Sequence, residues 1–161
     1  MGSLQVLIID SLYAVPPLIY RGEIMNVYLK ELSFSTKKRR ELVDITGQVE
    51  KIVYESGVRN GMCLVYAPHA TIAIVVNEHE AGLMNDIIAK IERDFPSGSG
   101  WLHDKIDDNA DAHLASAFIG SSRIFPVVNG RLVRGTWQNI FVLELDGPRP
   151  TRRVLVEVIG E

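Results

Sequence analysis

Asn129-Gly130 separates the apolar stretches "RIFPVV" and "RLVRG". An Asn-Gly pair fills the two left-handed positions of a type I′ turn, so it commits its flanks to an antiparallel hairpin. The rest of the second half repeats the theme. "TWQNIFVLELDG" and "RRVLVEVIG" read as strands joined by the turn "DGPRP". Upstream, "GMCLVYAP" and "TIAIVVN" are β-branched runs on either side of "PHA", and both read as well-buried strands. "LQVLIID" is a further apolar strand followed by a Pro-rich turn, and "EIMNVYLKELSF" continues as a β-type segment.

Helical signals occupy the middle. Thr46 is placed to cap a helix through "QVEKIVYES" that Gly57 would close. "EAGLMNDIIAKIERDF" carries Leu83, Ile87, Ile88 and Ile91 at the spacing of one buried stripe. Asp108 or Asn109 is placed to cap "ADAHLASAFIG", which ends at Gly120. "PSGSG" at 96–100 joins two helical patterns and reads as a connection inside one domain. The expectation is an α+β fold, with helices packed on a largely antiparallel sheet.

Its 161 residues favour a single domain over 1–161, and 47% apolar with 23% charged residues is a globular balance. A net charge of −3 gives no reason to expect nucleic acid as a partner. "KKRR" at 37–40 is read as a solvated turn. Cys63 is the only cysteine, which rules out an intrachain disulfide and favours a small buried hydrophobe over a nucleophile. The N-terminus lacks a basic n-region, and Asp10 and Pro16-Pro17 interrupt its apolar run. No membrane span is expected, and the cytoplasm is the default location. No P-loop, G-x-G-x-x-G or G-x-S-x-G occurs.

Two stretches can carry chemistry. In "PHATIAIVVNEHE" a strand starting near His69 sends His69, Thr71, Ala73 and Val75 to one side and Ile72, Ile74, Val76 and Glu78 to the other. In "HDKIDDNADAH", helical geometry groups Leu114, Ala115 and Phe118 on an apolar face with Asp111 in its middle. A carboxylate there is costly unless it is paired. His113 falls on another face with Ala110, Ser116 and Ala117, small enough for close approach by another surface, such as a second subunit. His69, His103 and His113 can serve as three metal ligands with an open position. The alternative is acid–base work by a histidine with Glu78 or Asp108. Arg149, Arg152 and Arg153 are fork-shaped donors for phosphate or carboxylate, or else a charged turn with edge-strand arginines. Trp137 reads as a core residue.

Taken in order, "DIT", "NGMCLVYAPHATIAIVVNE", "NADAHLASAFIGSS" and "PVVNGRLVRGTWQNIFVLELDGPRPTRRV" resemble the YjbQ family of uncharacterised conserved proteins. The resemblance spans about residues 23 to 160, so residues 1–22 look like an extension that the family does not require. It implies a sandwich-like α+β fold and a homotrimer. It also implies a secondary thiamine-phosphate synthase activity, joining a pyrimidine-methyl diphosphate to a thiazole phosphate with release of pyrophosphate. Carried over residue by residue, it makes His69, His103 and His113 candidate ligands of a divalent metal (Zn or Mg). Glu78 and His113 become candidate catalytic groups, and Asn109, Gln138 and Arg149 candidate substrate-binding groups. The chain departs from the family pattern at "PHATIA", where Ala70 replaces the usual Thr and Ile72 an Ala. A non-catalytic trimer binding a small phosphate or anion, and a metal-assisted hydrolase, are the alternatives.

Overall fold

The computed structural model of the chain describes residues 7–9, 18–20 and 23–161. Among these the strands are β1 (Leu7–Ile9), β2 (Leu18–Tyr20), β3 (Glu23–Phe34), β4 (Glu41–Asp44), β5 (Asn60–Tyr66), β6 (Ile72–Asn77), β7 (Ser122–Val128), β8 (Arg131–Leu132), β9 (Asn139–Glu144) and β10 (Arg152–Gly160). The helices are α1 (Thr46–Ser56), α2 (Ala81–Asp94) and α3 (Ala110–Ile119), with a one-turn 3-10 helix at Leu102–Lys105. The strand expected over residues 4–10 is described only at Leu7–Ile9, and the Pro-rich turn after it lies outside the described residues.

The strands form two antiparallel sheets. The larger runs β1-β3-β10-β5-β7-β8, with β2 also on β3; the smaller is β4-β9-β6. This is the α+β, mostly antiparallel architecture that the sequence pattern predicts. The Asn129-Gly130 turn closes β7 onto β8 with Val128 opposite Arg131, and both turn residues have positive φ, 52° and 74°. Glycine takes that conformation without a Cβ penalty, and asparagine is among the few other residues that tolerate it.

Apolar side chains gather in two cores because the small sheet is buried on both faces. The larger core lies between the sheets and α1 and includes Leu32, Val49, Ile52, Val65, Ile72, Ile74, Val142 and Val156. The smaller lies on the other face of β9 and β6, where Ala73, Leu143 and Leu145 meet Ile91 of α2 and Ala112 and Ala115 of α3. The alternation expected along β6 holds: Ile72 and Ile74 face one core and Ala73 the other. Ile72 is fully buried in the larger core.

Two helix expectations are corrected, and a third, the cap of α3, holds in position. Thr46 is the first residue of α1, not its cap; its hydroxyl donates to Asp44 Oδ1 at 2.6 Å and accepts the Ile140 N–H at 2.9 Å. Asn109 is the cap residue of α3, but its side chain makes no capping bond. The apolar face of α3 is also rotated from the expected one. Ala112, Ala115 and Ser116 turn inward, and Phe118 is 79% exposed. Small residues let α3 lie close on β6, where Ser116 Oγ donates to the Ile72 carbonyl at 2.8 Å. Burying Phe118 instead would hold the helix off the sheet.

Candidate functional site

Antiparallel pairing sorts the candidate residues between the two ends of the small sheet. At one end Glu144 of β9 faces Ile72 of β6 and Glu41 of β4. At the other end Asn77 faces Asn139, next to Asp44. The six residues of β6 hold these ends roughly 17 Å apart, at about 3.3 Å per residue.

The Glu144 end is built around a buried ion pair. Arg152 donates through Nε to Glu144 Oε2 at 2.7 Å and through Nη2 to Oε1 at 2.5 Å. Thr36 Oγ1 and the N–H groups of Leu145 and Asp146 complete the carboxylate's shell. Thr71, the hydroxyl that remains beside Ala70, accepts from Arg152 Nη2 at 3.0 Å. Arg152 is therefore the buried first residue of a central strand, opposite Phe34 of β3, and is not an edge-strand anion binder. His69 sits beside it and accepts the Arg153 N–H on Nε2 at 3.0 Å. Burial, then the charges of Arg152 and Arg153, hold His69 below the usual histidine range. It is thus kept neutral, with its Nε2 lone pair already engaged.

Next to this pair, Asp146 Oδ2 accepts from Asn109 Nδ2 at 3.1 Å and is ion-paired with Arg149 Nη2. Arg149 Nε is tied to the Asp146 carbonyl at 2.8 Å. Burial raises the Asp146 carboxyl, but hydrogen bonds from Asn109 and Arg149, with the charge of Arg149, more than offset this and leave it below its ordinary value. The remaining Arg149 nitrogen, Nη1, stays on a side chain that is half-exposed. His113 lies one turn along α3 from Asn109, and its ring meets that of His103 edge-on at 4.9 Å. Three of the four histidines therefore belong to this end.

Asp111 is as buried as its place on the helix demands, and it is paired. Arg40 Nη2 and Arg39 Nη2 both reach it, and Ser97 Oγ donates at 2.8 Å. The "KKRR" run is accordingly more than a solvated turn: its two arginines anchor the start of α3. Glu41 Oε1 meanwhile gathers the N–H groups of Lys37 and Lys38.

Glu78 and Gln138 belong to the opposite end. Gln138 Oε1 accepts the Gly135 N–H at 2.8 Å, folding back on its own loop, and the adjacent Trp137 is exposed rather than in the core. Within one chain this separates Glu78 from His113, its expected partner. A dyad absent from the sequence expectations lies here: Asp44 Oδ2 holds His79 Nδ1 at 2.6 Å and Asn139 Nδ2 at 2.8 Å. Asp44 in "DIT" and Glu144 in "LELDG" left one weak signal, an acid at the edge of or inside an apolar run. Their partners are distant in sequence, so spacing could not name them.

Among the described residues, no three His, Cys, Asp or Glu lie close enough together to hold a metal ion. Within the one chain, His69, His103 and His113 therefore do not form such a group, and His69 Nε2 accepts the Arg153 N–H instead. Cys63 is buried, and burial pushes its thiol up to about 12, so it is inert. No helix among the described residues is long and apolar enough to cross a membrane.

The family profile described as "UPF0047 protein YjbQ-like" matches residues 30–161. The chain belongs to this family. A UPF0047 protein of Archaeoglobus fulgidus is 52% identical over 129 residues, covering 80% of this chain and 99% of that protein. The UPF0047 protein YugU of Bacillus subtilis is 38% identical, covering 82% and 99%. A crystal structure described as a YbjQ-like protein of unknown function from Sulfolobus solfataricus superposes with a TM-score of 0.84 at 55% identity, covering 85% of this chain and 99% of that one.

Proposed function

We propose that this UPF0047 protein binds a small phosphorylated substrate at the Glu144 end of the small sheet, with thiamine-phosphate synthesis as the transfer it catalyses. The observation that supports this is the meeting of Asn109 and Arg149 on one oxygen of Asp146. Two residues forty positions apart in sequence are thereby joined, and Asn109 stands one turn of α3 before His113, whose ring meets that of His103. In the reaction the thiazole nitrogen forms a bond to the pyrimidine methylene carbon, and the departing C–O pair leaves with pyrophosphate. Arg149 Nη1 is the free donor for the leaving diphosphate, and the charge of Arg39 lies close enough to influence Asp146. His113 would move protons at this end.

A homotrimer remains part of the proposal. Leu102, Ile106 and Phe118, on the two segments that carry His103 and His113, are all more than three-quarters exposed, and exposed apolar groups favour burial by another subunit. Glu78 would then reach this site only from a neighbouring chain. The test is thiamine-phosphate formation by purified protein from both substrates, repeated with Arg149→Ala. Arg149→Ala is expected to lose about tenfold or more in rate, the scale of one charged hydrogen bond. A wild-type rate no higher than that of heat-denatured protein removes the activity, and equal rates remove Arg149. Sedimentation of the same preparation reads the assembly, and a mass of one chain removes the trimer.

A further inference from the structure

Buried acceptors without donors are rare in folded proteins, and two belong to residues that meet the start of α3. Asn109 is 6% exposed, and its Oδ1 has no hydrogen-bond partner. Its Nδ2 donates to Asp146 Oδ2 at 3.1 Å. Exchanging the two ends of the amide would set Oδ1 against that carboxylate, so the orphaned oxygen has to face away from Asp146. Asp104 Oδ1 accepts the N–H of Ala110, the residue after Asn109, at 3.1 Å, while Asp104 Oδ2 is buried and unpartnered. The chain neighbours of this pair are His103, before Asp104, and His113, one turn after Asn109.

Both orphans are acceptors, and the polar string that holds them ends in a cation: Asn109 leads to Asp146, and Asp146 to Arg149. Asp104 stands on the 3-10 turn Leu102–Lys105, none of whose residues is buried, so the turn lies at the surface next to the start of α3. We propose that Asp104 and Asn109 seat the N–H-bearing head of the substrate, an amine, amidine or amino-substituted ring, while its anionic end lies at Arg149. The inference rests on the anion reading above and adds the substrate's polarity: donor head toward α3, phosphate toward the 146–149 turn. An uncharged, donor-free head would leave both oxygens unpaired, and the site would reject it by failing to satisfy them.

Calorimetric titration of the full chain with three probes tests this: an aminopyrimidine-methyl diphosphate, the same compound with hydrogen in place of the ring amine, and inorganic pyrophosphate. The amino compound is expected to bind at least about tenfold more tightly than its deamino analogue. Asp104→Asn, which sets an amide N–H where an acceptor stood, is expected to shrink that ratio while leaving pyrophosphate affinity unchanged. Equal affinities of the amino and deamino compounds in the wild-type protein overturn the inference, as does binding of pyrophosphate with neither pyrimidine. Loss of pyrophosphate binding itself, or its indifference to Arg149→Ala, instead places the failure in the anion reading.

Discussion

Replacing Arg152 with Met is expected to lower the unfolding free energy by about 3–5 kcal/mol, read as a shift of the urea midpoint at unchanged slope. Glu144 is fully buried and Arg152 is 6% exposed, so the change strands a carboxylate away from water. Three neutral donors, Thr36 Oγ1 and the N–H groups of Leu145 and Asp146, would remain to hold it. Neutral donors soften that penalty without supplying the missing charge. Glu144→Leu combined with Arg152→Met should recover part of the loss, because it removes the buried charge together with its partner. A midpoint shift worth less than about 1 kcal/mol would mean that the pair behaves like a surface salt bridge.

The same variant carries a pH signature. Burial raises the Glu144 carboxyl, but the bonds from Arg152, the Asp146 N–H and Thr36 outweigh it and leave the group below its ordinary 4.5. A carboxyl with a lower pKa folded than unfolded contributes stability that is complete above the unfolded value and disappears as pH falls through the folded one. Wild-type stability should therefore decline below about pH 4.5, and Arg152→Met should decline less steeply there.

Asp111→Leu is the second change with a large expected effect, also about 3–5 kcal/mol. It leaves the Arg40 side chain, 8% exposed, without the carboxylate it contacts most closely, and Ser97 without its acceptor. The ion pair of Arg40 Nη1 with Glu92 is looser, at 3.5 Å, and Glu92 is half-exposed, so it offsets little. Asp111→Asn keeps the shape and loses only the charge, so chemical denaturation should rank it between wild type and Asp111→Leu. A Leu variant as stable as wild type would show that Arg40 finds water or another anion. Because Asp111 anchors the first turn of α3, the Leu variant should also displace Asn109 and His113, visible as shifted amide signals for residues 109–113.

Much of the fold was legible because it rests on local rules. Asn129-Gly130 specifies its hairpin by backbone conformation alone, and the β-branched run Ile72–Val76 declares both its alternation and its burial. Asp111 announced its own need for a partner by standing on a helix face turned inward. What spacing could not supply was the identity of partners brought in from afar. Arg39 and Arg40 read as a solvated run, yet they lie beside Asp111 because β4 starts next to α3. Arg152 read as an edge arginine until β10 proved central, with Glu144 across from it.

The same division runs through the candidate site. From the sequence alone came the class of fold, the family motifs and the histidines, acids and arginines able to do chemistry, because residue types and periodicities are local properties of the chain. The tertiary structure decided which of these stand together. Sheet register sends His69, Asn109, His113 and Arg149 to one end and Glu78 and Gln138 to the other, and a strand's length separates the two groups. It decided as well that the acidic stretch "HDKIDDNADAH" carries two orphaned oxygens, since hydrogen-bond satisfaction depends on what long-range packing brings within three ångströms.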